Sequence, residues 1–309
     1  MFDFLGDAGP GQGETGPGPD ATTDAPVADA GPPACNLNAP FQRSANQPFQ
    51  NVNTPNNQVG ASLSPDELTI YYDDNRKLFT ATRTDISKPF ENVRLLPIEG
   101  DSGCAVMGLP AITRDEKRIF FQCSNDGERT ASIYTMVRGD KSQPFTGSKF
   151  VIFDLETLFK WFPRVYENQG RLELWSSVTA DDAGGRSGDQ FYQLISTDGG
   201  AGFGQAIPRD DLSTPGASDQ FAVLTPDGLQ AYFSSGPDHP SDTDIYVATR
   251  PNADANTKFQ KITRVDALSD EASDDAPNWI SPDGCRLYYF SGRPGGAGAY
   301  DLYLAERPK

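Results

Sequence analysis

One short turn recurs five times along this chain, and its spacing limits the fold more than any other feature. It is clearest as Ser281-Pro282-Asp283-Gly284 and Thr225-Pro226-Asp227-Gly228 and returns as Ser64-Pro65-Asp66-Glu67. Degenerate copies are Thr113-Arg114-Asp115-Glu116 and Tyr166-Glu167-Asn168-Gln169-Gly170. Aligned on Asp or Asn, the copies fall at positions 66, 115, 168, 227 and 283. Proline presets φ in such a turn, aspartate bonds the backbone ahead of it, and glycine accepts positive φ. A turn of this kind joins two antiparallel strands.

The flanking residues supply those strands. A short apolar run precedes each turn, as at Ala222 to Leu224, and a β-branched and aromatic run follows, as at Leu287 to Phe290. Further on, a third strand reads Leu78 to Arg83, Ile133 to Arg138, Phe191 to Leu194, Ile245 to Arg250 and Leu302 to Arg307. A fourth opens at Phe90, Phe145, Phe203 and Phe259. Four short strands in each unit of roughly 50 residues define a propeller blade. Stacked helical repeats are excluded, because Pro and Gly cut the apolar runs too short. The expected fold is therefore all-β, a single β-propeller of about five four-stranded blades spanning 35–309. The fifth unit ends at Lys309 without a fourth strand. The segment around Phe41 has the spacing of an orphan outer strand, so an N-terminal strand is expected to close the ring and remove two open edges.

The run of S-P-D-G, an aromatic strand, D-[IL]-Y and Arg resembles the WD-like propeller repeats of the TolB type. The motif is intact at Asp244-Ile245-Tyr246 and Asp301-Leu302-Tyr303, whereas the first two units carry Lys77 and Ser132 in place of the Asp. The resemblance implies a propeller scaffold. It implies nothing about partners, because TolB itself has six blades and a separate N-terminal domain that this chain does not match.

Residues 1–34 are rich in Gly, Pro, Ala and Asp, with six acids and no basic residue. Such a segment cannot offset its ordering entropy and is expected to be a disordered, extended tether. In composition it resembles the linkers behind the lipid anchors of bacterial surface lipoproteins, although no lipobox cysteine is present. The start shows no export signal, and no stretch of 18 apolar residues offers a transmembrane segment.

Two further features bear on compartment and partners. The net charge of −17 disfavours nucleic acid and anionic lipid. The four cysteines lack C-x-x-C spacing and meet only one histidine, His239, which argues against a zinc site. They fit two disulfides and an oxidising, extracytoplasmic compartment, periplasm or cell surface. Cys104 and Cys123 fall at neighbouring strand ends of the second unit, while Cys35 and Cys285 fall together in the closing blade. The expected pairs are thus Cys104–Cys123 and Cys35–Cys285.

No catalytic motif is recognisable. His239 stands in a polar loop without an evident partner, and no G-x-S-x-G occurs. Loop carboxylates are plentiful at Asp181, Asp182, Asp238, Asp242, Asp270, Asp274 and Asp275. They read first as solvated acids, second as a calcium site and third as a glycosidase pair, which needs two carboxylates roughly 5–10 Å apart. Long loops gather on the face opposite the S-P-D-G turns, and function favours such loops on a rigid scaffold. Trp161, Arg186, Arg293, Asp181, Asp182 and Asp238 are the candidate ligand-binding residues there. The expectation is a monomeric, non-enzymatic scaffold without catalytic residues or cofactor, recognising a protein or cell-envelope component. The alternative is a carbohydrate-active protein using the same face.

Overall fold

A computed structural model describes residues 35–100, 102–125, 131–151, 159–168, 170–179, 189–213, 217–236, 242–270 and 272–309. Residues 1–34, expected to form the tether, lie outside it. The chain begins its ring with β1 (Gln42–Arg43). Blade 1 follows as β2 (Ala61–Leu63), β3 (Thr69–Asp74), β4 (Lys77–Thr82) and β5 (Glu91–Leu95). Blade 2 is β6 (Val106–Ile112), β7 (Arg118–Ser124), β8 (Ser132–Val137) and β9 (Thr146–Phe150). Blade 3 is β10 (Phe159–Asn168), β11 (Arg171–Thr179), β12 (Asp189–Ser196) and β13 (Ile207–Pro208). Blade 4 is β14 (Ser218–Leu224), β15 (Gln230–Gly236), β16 (Asp244–Thr249) and β17 (Gln260–Arg264). Blade 5 is β18 (Asp275–Ile280), β19 (Arg286–Ser291) and β20 (Asp301–Glu306), with β1 as its outer strand.

All five sheets are antiparallel, and the expected closure holds: Gln42 pairs with Glu306 and Arg43 with Ala305. Phe41, fully buried, packs edge-on against Tyr232 of blade 4, its ring centroid 5.3 Å away. A two-residue strand thereby ties the chain's start to its end, and the buried aromatic beside it anchors the tie by apolar burial.

The recurring turn works as its residues dictate. In blades 1, 2, 4 and 5 the Ser or Thr hydroxyl donates to the turn Asp at 2.5–2.7 Å. The same carboxylate accepts the N–H two residues ahead at 2.9–3.0 Å. The next position is left-handed, at φ 61, 58, 68 and 72 for Glu67, Glu116, Gly228 and Gly284. Blade 3 departs from this pattern. There β10 and β11 run on to an Asn168–Arg171 pair, and Gly170 takes the positive φ of 73. Its outer strand also starts at Ile207 rather than at Phe203, which instead packs on Phe120 of blade 2.

The arginines that recur at third-strand ends are scaffold, as their periodicity suggests. The Nε of Arg83, Arg138, Arg250 and Arg307 each donates to the carbonyl of the left-handed turn residue of its own blade, at 2.6–3.0 Å. Each guanidinium also lies over a phenylalanine at the outer strand, Phe90, Phe145, Phe259 or Phe41, 4.2–4.6 Å from the ring centre. This repeated cation–π clamp fixes the outer strand to the turn. The D-[IL]-Y aspartates are likewise structural: Asp244 takes a two-pronged bond from Arg264, and Asp301 accepts the Gly298 N–H.

Four inner strands carry β-bulges. Pairing shifts between Gly108 and Ala111, Trp161 and Arg164, Gln220 and Val223, and Pro277 and Trp279. Within the first three, Leu109, Phe162 and Phe221 take φ of 54, 56 and 59. A left-handed phenylalanine costs energy and re-aims its side chain. Here the rings of Phe162 and Phe221 meet at 4.1 Å and Phe221 meets Phe290 at 5.0 Å, closing the middle of the ring with apolar side chains.

Candidate functional site

Of the loop-face residues singled out from sequence, Asp181, Asp182, Arg186, Asp238 and His239 lie outside the described residues. Trp161 has a described backbone, which pairs with Ser177 at the loop-face end of β10. Arg293 is committed to the scaffold. Its guanidinium donates to Ser291, to the Leu268 carbonyl and to buried Asp275, and it sandwiches against Tyr289 and Tyr303. The described loop acids also turn inward: Asp274 accepts from Thr243 and the Tyr300 hydroxyl, and Asp275 from Asp270 and Arg293. They hold the crossover between blades 4 and 5. Among the described residues no three His, Cys, Asp or Glu side chains gather as a metal centre.

The loop face does contain a built hollow. A pocket of about 500 Å³ is formed where blades 1, 2 and 3 meet. This volume is in the range of small-ligand sites. Its polar rim comes from Asn56 and Asn57 on the β1–β2 crossover and from Asn75 and Arg76. The last two form the β3–β4 turn, with φ of 46 and 65, so both take the left-handed geometry of a tight hairpin and project outward. The floor is apolar, from Val59, Leu109 and Phe162.

Two polar side chains stand in the wall, Asp73 at the end of β3 and Gln122 in β7. Asp73 Oδ1 accepts the N–H groups of Val59 and Gly60, and Oδ2 accepts that of Leu109, all at 2.8–3.0 Å. The carboxylate thus holds the bulge of blade 2 against blade 1. Glycine at position 60 permits this approach, since a Cβ there would stand 2.5 Å from the Leu109 Cα. Burial pushes the Asp73 carboxyl above its ordinary value, against the three N–H groups and the Arg164 charge. Gln122 is only 7% exposed, yet its Oε1 has no hydrogen-bond donor among the described residues. A buried acceptor left unmade costs about 1–3 kcal/mol, which a donor on a bound molecule would recover.

The disulfides formed as expected, Cys35–Cys285 and Cys104–Cys123. Among the described residues no helix is long and apolar enough to cross a membrane.

No family model and no curated protein matches the chain. Solved structures do match its fold. The endo-arabinase of Bacteroides thetaiotaomicron VPI-5482 is 13% identical over 85% of this chain and 97% of its own, with a TM-score of 0.59. Zg3597, a family 117 glycoside hydrolase of Zobellia galactanivorans, is 14% identical over 86% and 88%, at 0.54. A putative TolB from Agrobacterium tumefaciens is 12% identical over 82% and 84%, at 0.48. The chain is a five-bladed β-propeller, and at these identities the likeness is one of fold. The comparisons correct one expectation, that the chain is not an enzyme. That reading rested on missing catalytic motifs, but glycoside hydrolases share this propeller over 88–97% of their own length at only 13–14% identity, so the missing motifs do not exclude an enzyme.

Proposed function

We propose that this is a carbohydrate-active protein that takes a glycan at the loop-rich face, in the pocket between blades 1, 2 and 3, and that glycoside hydrolysis is the reaction it performs there. The unpartnered Gln122 Oε1 carries the reading, because it asks for a donor in a pocket that otherwise offers three amides, a guanidinium, a carboxyl and an apolar floor. A sugar matches that mixture: hydroxyls both donate and accept, and the ring's C–H face packs on an aromatic such as Phe162. Hydrolysis requires a second carboxyl roughly 5–10 Å from the first. Asp73 is the one carboxyl lining the pocket among the described residues, and hydrolysis there calls for a second beyond that lining. The shared fold of the endo-arabinase and the family 117 hydrolase supports the same class. The two disulfides support a location outside the cytoplasm.

The test is a glycan array followed by reducing-sugar release from each bound glycan. Gln122→Ala and Asn57→Ala should each weaken binding by about 3–10-fold, the equivalent of one hydrogen bond, without lowering the melting temperature. Asp73→Asn should abolish release and, because its amide nitrogen cannot accept the N–H groups that one Asp73 oxygen holds, should also lower the melting temperature. Folded Gln122 and Asn57 variants that bind as wild type would remove the pocket from the proposal. Binding without release in the wild type would remove hydrolysis.

A further inference from the structure

The opposite half of the central channel contains a second, smaller space. It lies just inside the S-P-D-G turns, has a volume of about 80 Å³, and is walled by all five inner strands. At one position of this wall the blades present Ser62, Ala111, Arg164, Val223 and Trp279, aligned on the turn that follows. Four of these are uncharged, and Arg164 is the exception.

Arg164 is 4% exposed and Asn278, beside it from blade 5, is 1% exposed. Arg164 Nη1 donates to the Pro163 carbonyl at 2.8 Å and Nη2 to Asn278 Oδ1 at 2.5 Å. Its Nε has no acceptor among the described residues, and neither has Asn278 Nδ2. Two buried N–H donors, one on a cation, therefore border the same cavity unsatisfied. Burial pulls the Arg164 guanidinium down to about 9, with Asp73 opposing. The Asp73 carboxylate offsets this charge at a distance, but its hydrogen bonds go to Val59, Gly60 and Leu109 and none goes to Arg164. At the cavity mouth one Glu167 oxygen takes the Arg114 N–H at 2.6 Å, and Arg114 itself stands next to it. The remaining wall is largely aliphatic, from residues such as Ile112, Val223 and Ile280, and competes for neither donor.

We propose that this turn-face chamber is an anion site, in which Arg164 Nε and Asn278 Nδ2 jointly hold a small monovalent anion such as chloride or the carboxylate of a small acid. Buried charge is costly unless paired; Asp73 and the Phe221 ring, 5.1 Å from the guanidinium, offset that of Arg164 in part, and water would satisfy the two donors without adding to that offset. A chamber of this volume admits a halide, nitrate or formate and rejects gluconate. Ligand linkage then makes stability depend on the anion.

The experiment compares thermal unfolding in sodium chloride, bromide, formate and gluconate at matched ionic strength. With anion at tenfold excess over Kd, the wild type should melt roughly 3–6 °C higher in the small anions than in gluconate. Stabilisation by halides but not formate assigns the site to a free halide, and the converse assigns it to a carboxylate. Asn278→Asp places a carboxylate against Arg164, so this variant should melt alike in all four salts. Arg164→Met should lose the dependence as well, which keeps the test open if the Asn278→Asp protein does not fold. Crystals soaked in bromide should show an anomalous peak within hydrogen-bond reach of Arg164 Nε and Asn278 Nδ2. Equal melting of the wild type in chloride, formate and gluconate, with water alone in the chamber, would overturn the proposal, as would an anion effect that survives both substitutions.

Discussion

Glu67 combines an unfavourable backbone with a favourable side chain, and Glu67→Gly separates the two. Its φ of 61 is the geometry that Gly228 and Gly284 occupy in blades 4 and 5, so glycine relieves roughly 1 kcal/mol of left-handed strain. The side chain works the other way. Its carboxylate, 4% exposed, accepts Arg286 Nε and Nη2 at 2.7–2.9 Å and the Tyr288 hydroxyl at 2.7 Å, and Arg83 Nη2 lies 4.0 Å off. Arg286 and Tyr288 belong to blade 5 and Glu67 to blade 1, so this cluster fastens the junction where the ring closes. Without it, Arg286 retains only Asp283, and Tyr288 only Arg83. Removing one partner of a buried charge pair costs about 3–5 kcal/mol, leaving a net loss of about 2–4 kcal/mol after the backbone relief. For a domain of this size that is a fall of roughly 5–15 °C in Tm, measurable by calorimetry or circular dichroism. Glu116→Gly is the control. Its φ is 58 and it too meets a tyrosine, Tyr71, at 2.8 Å and a buried arginine, Arg138, at 3.8 Å, but in place of the two-pronged Arg286 it has a lysine, Lys141, whose side chain is 57% exposed. The net loss there should be clearly smaller. The reasoning fails if the Glu67 variant melts at or above the wild type, or if the Glu116 variant falls just as far.

Two further outcomes follow from the scaffold. Cys35–Cys285 closes 250 residues and Cys104–Cys123 closes 19, worth about 5 and about 3 kcal/mol in the loop-entropy model. The Cys35→Ser/Cys285→Ser protein should therefore be less stable in urea than its Cys104→Ser/Cys123→Ser counterpart, and equal losses would contradict the ring-closing role. Burial works to raise the Asp211 carboxyl, but Arg209 and the Phe259 N–H outweigh it and hold it below its ordinary value. A carboxylate depressed by folding stabilises above its unfolded pKa and loses that contribution as pH falls through the folded one. Asp211→Asn should accordingly flatten the decline of stability below about pH 4, and an unchanged slope would count against it.

The scaffold was legible because it repeats. Blade number, the closing strand beside Phe41 and the arginine clamps all follow from residues that recur at fixed offsets from a turn whose chemistry is local, and both disulfides follow from where single cysteines fall on those blades. Blade 3 was legible only in part, since Asn168 matches the turn aspartate in type but stands at the end of an extended hairpin. The pocket was hidden for a different reason. Long, charged loops drew attention outward, to Arg293 among others, whereas that guanidinium is absorbed by Asp275 and two tyrosines. Asp73 and Gln122 sit inside strands, where a polar residue is easily passed over as alternation. Their role depends on bulges that bring Leu109 and Phe162 against them, and no local sequence rule announces a left-handed phenylalanine.

A signal was nevertheless present, in the differences between repeats rather than in their likeness. Counting from the turn and following strand register, one ring position on the second strands reads Asp73, Gln122, Ser177, Ser234 and Phe290. A position on the first strands reads Ser62, Ala111, Arg164, Val223 and Trp279. A ring of blades needs only small or apolar side chains at such inward positions, because each neighbour makes the same demand. A carboxylate and a carboxamide in successive blades, and a lone guanidinium on the other row, are departures that packing does not ask for. Buried polar groups are costly unless bonded, so each departure calls for a compensating partner. Asp73 finds three backbone N–H groups, whereas Gln122 Oε1 and Arg164 Nε find none among the described residues. The two unsatisfied atoms open toward opposite faces of one channel, and Asp73 links them, lining the glycan pocket while its charge reaches Arg164. An anion held at Arg164 would oppose the negative charge of Asp73, so the occupancy of one face should bias the protonation of the carboxyl on the other.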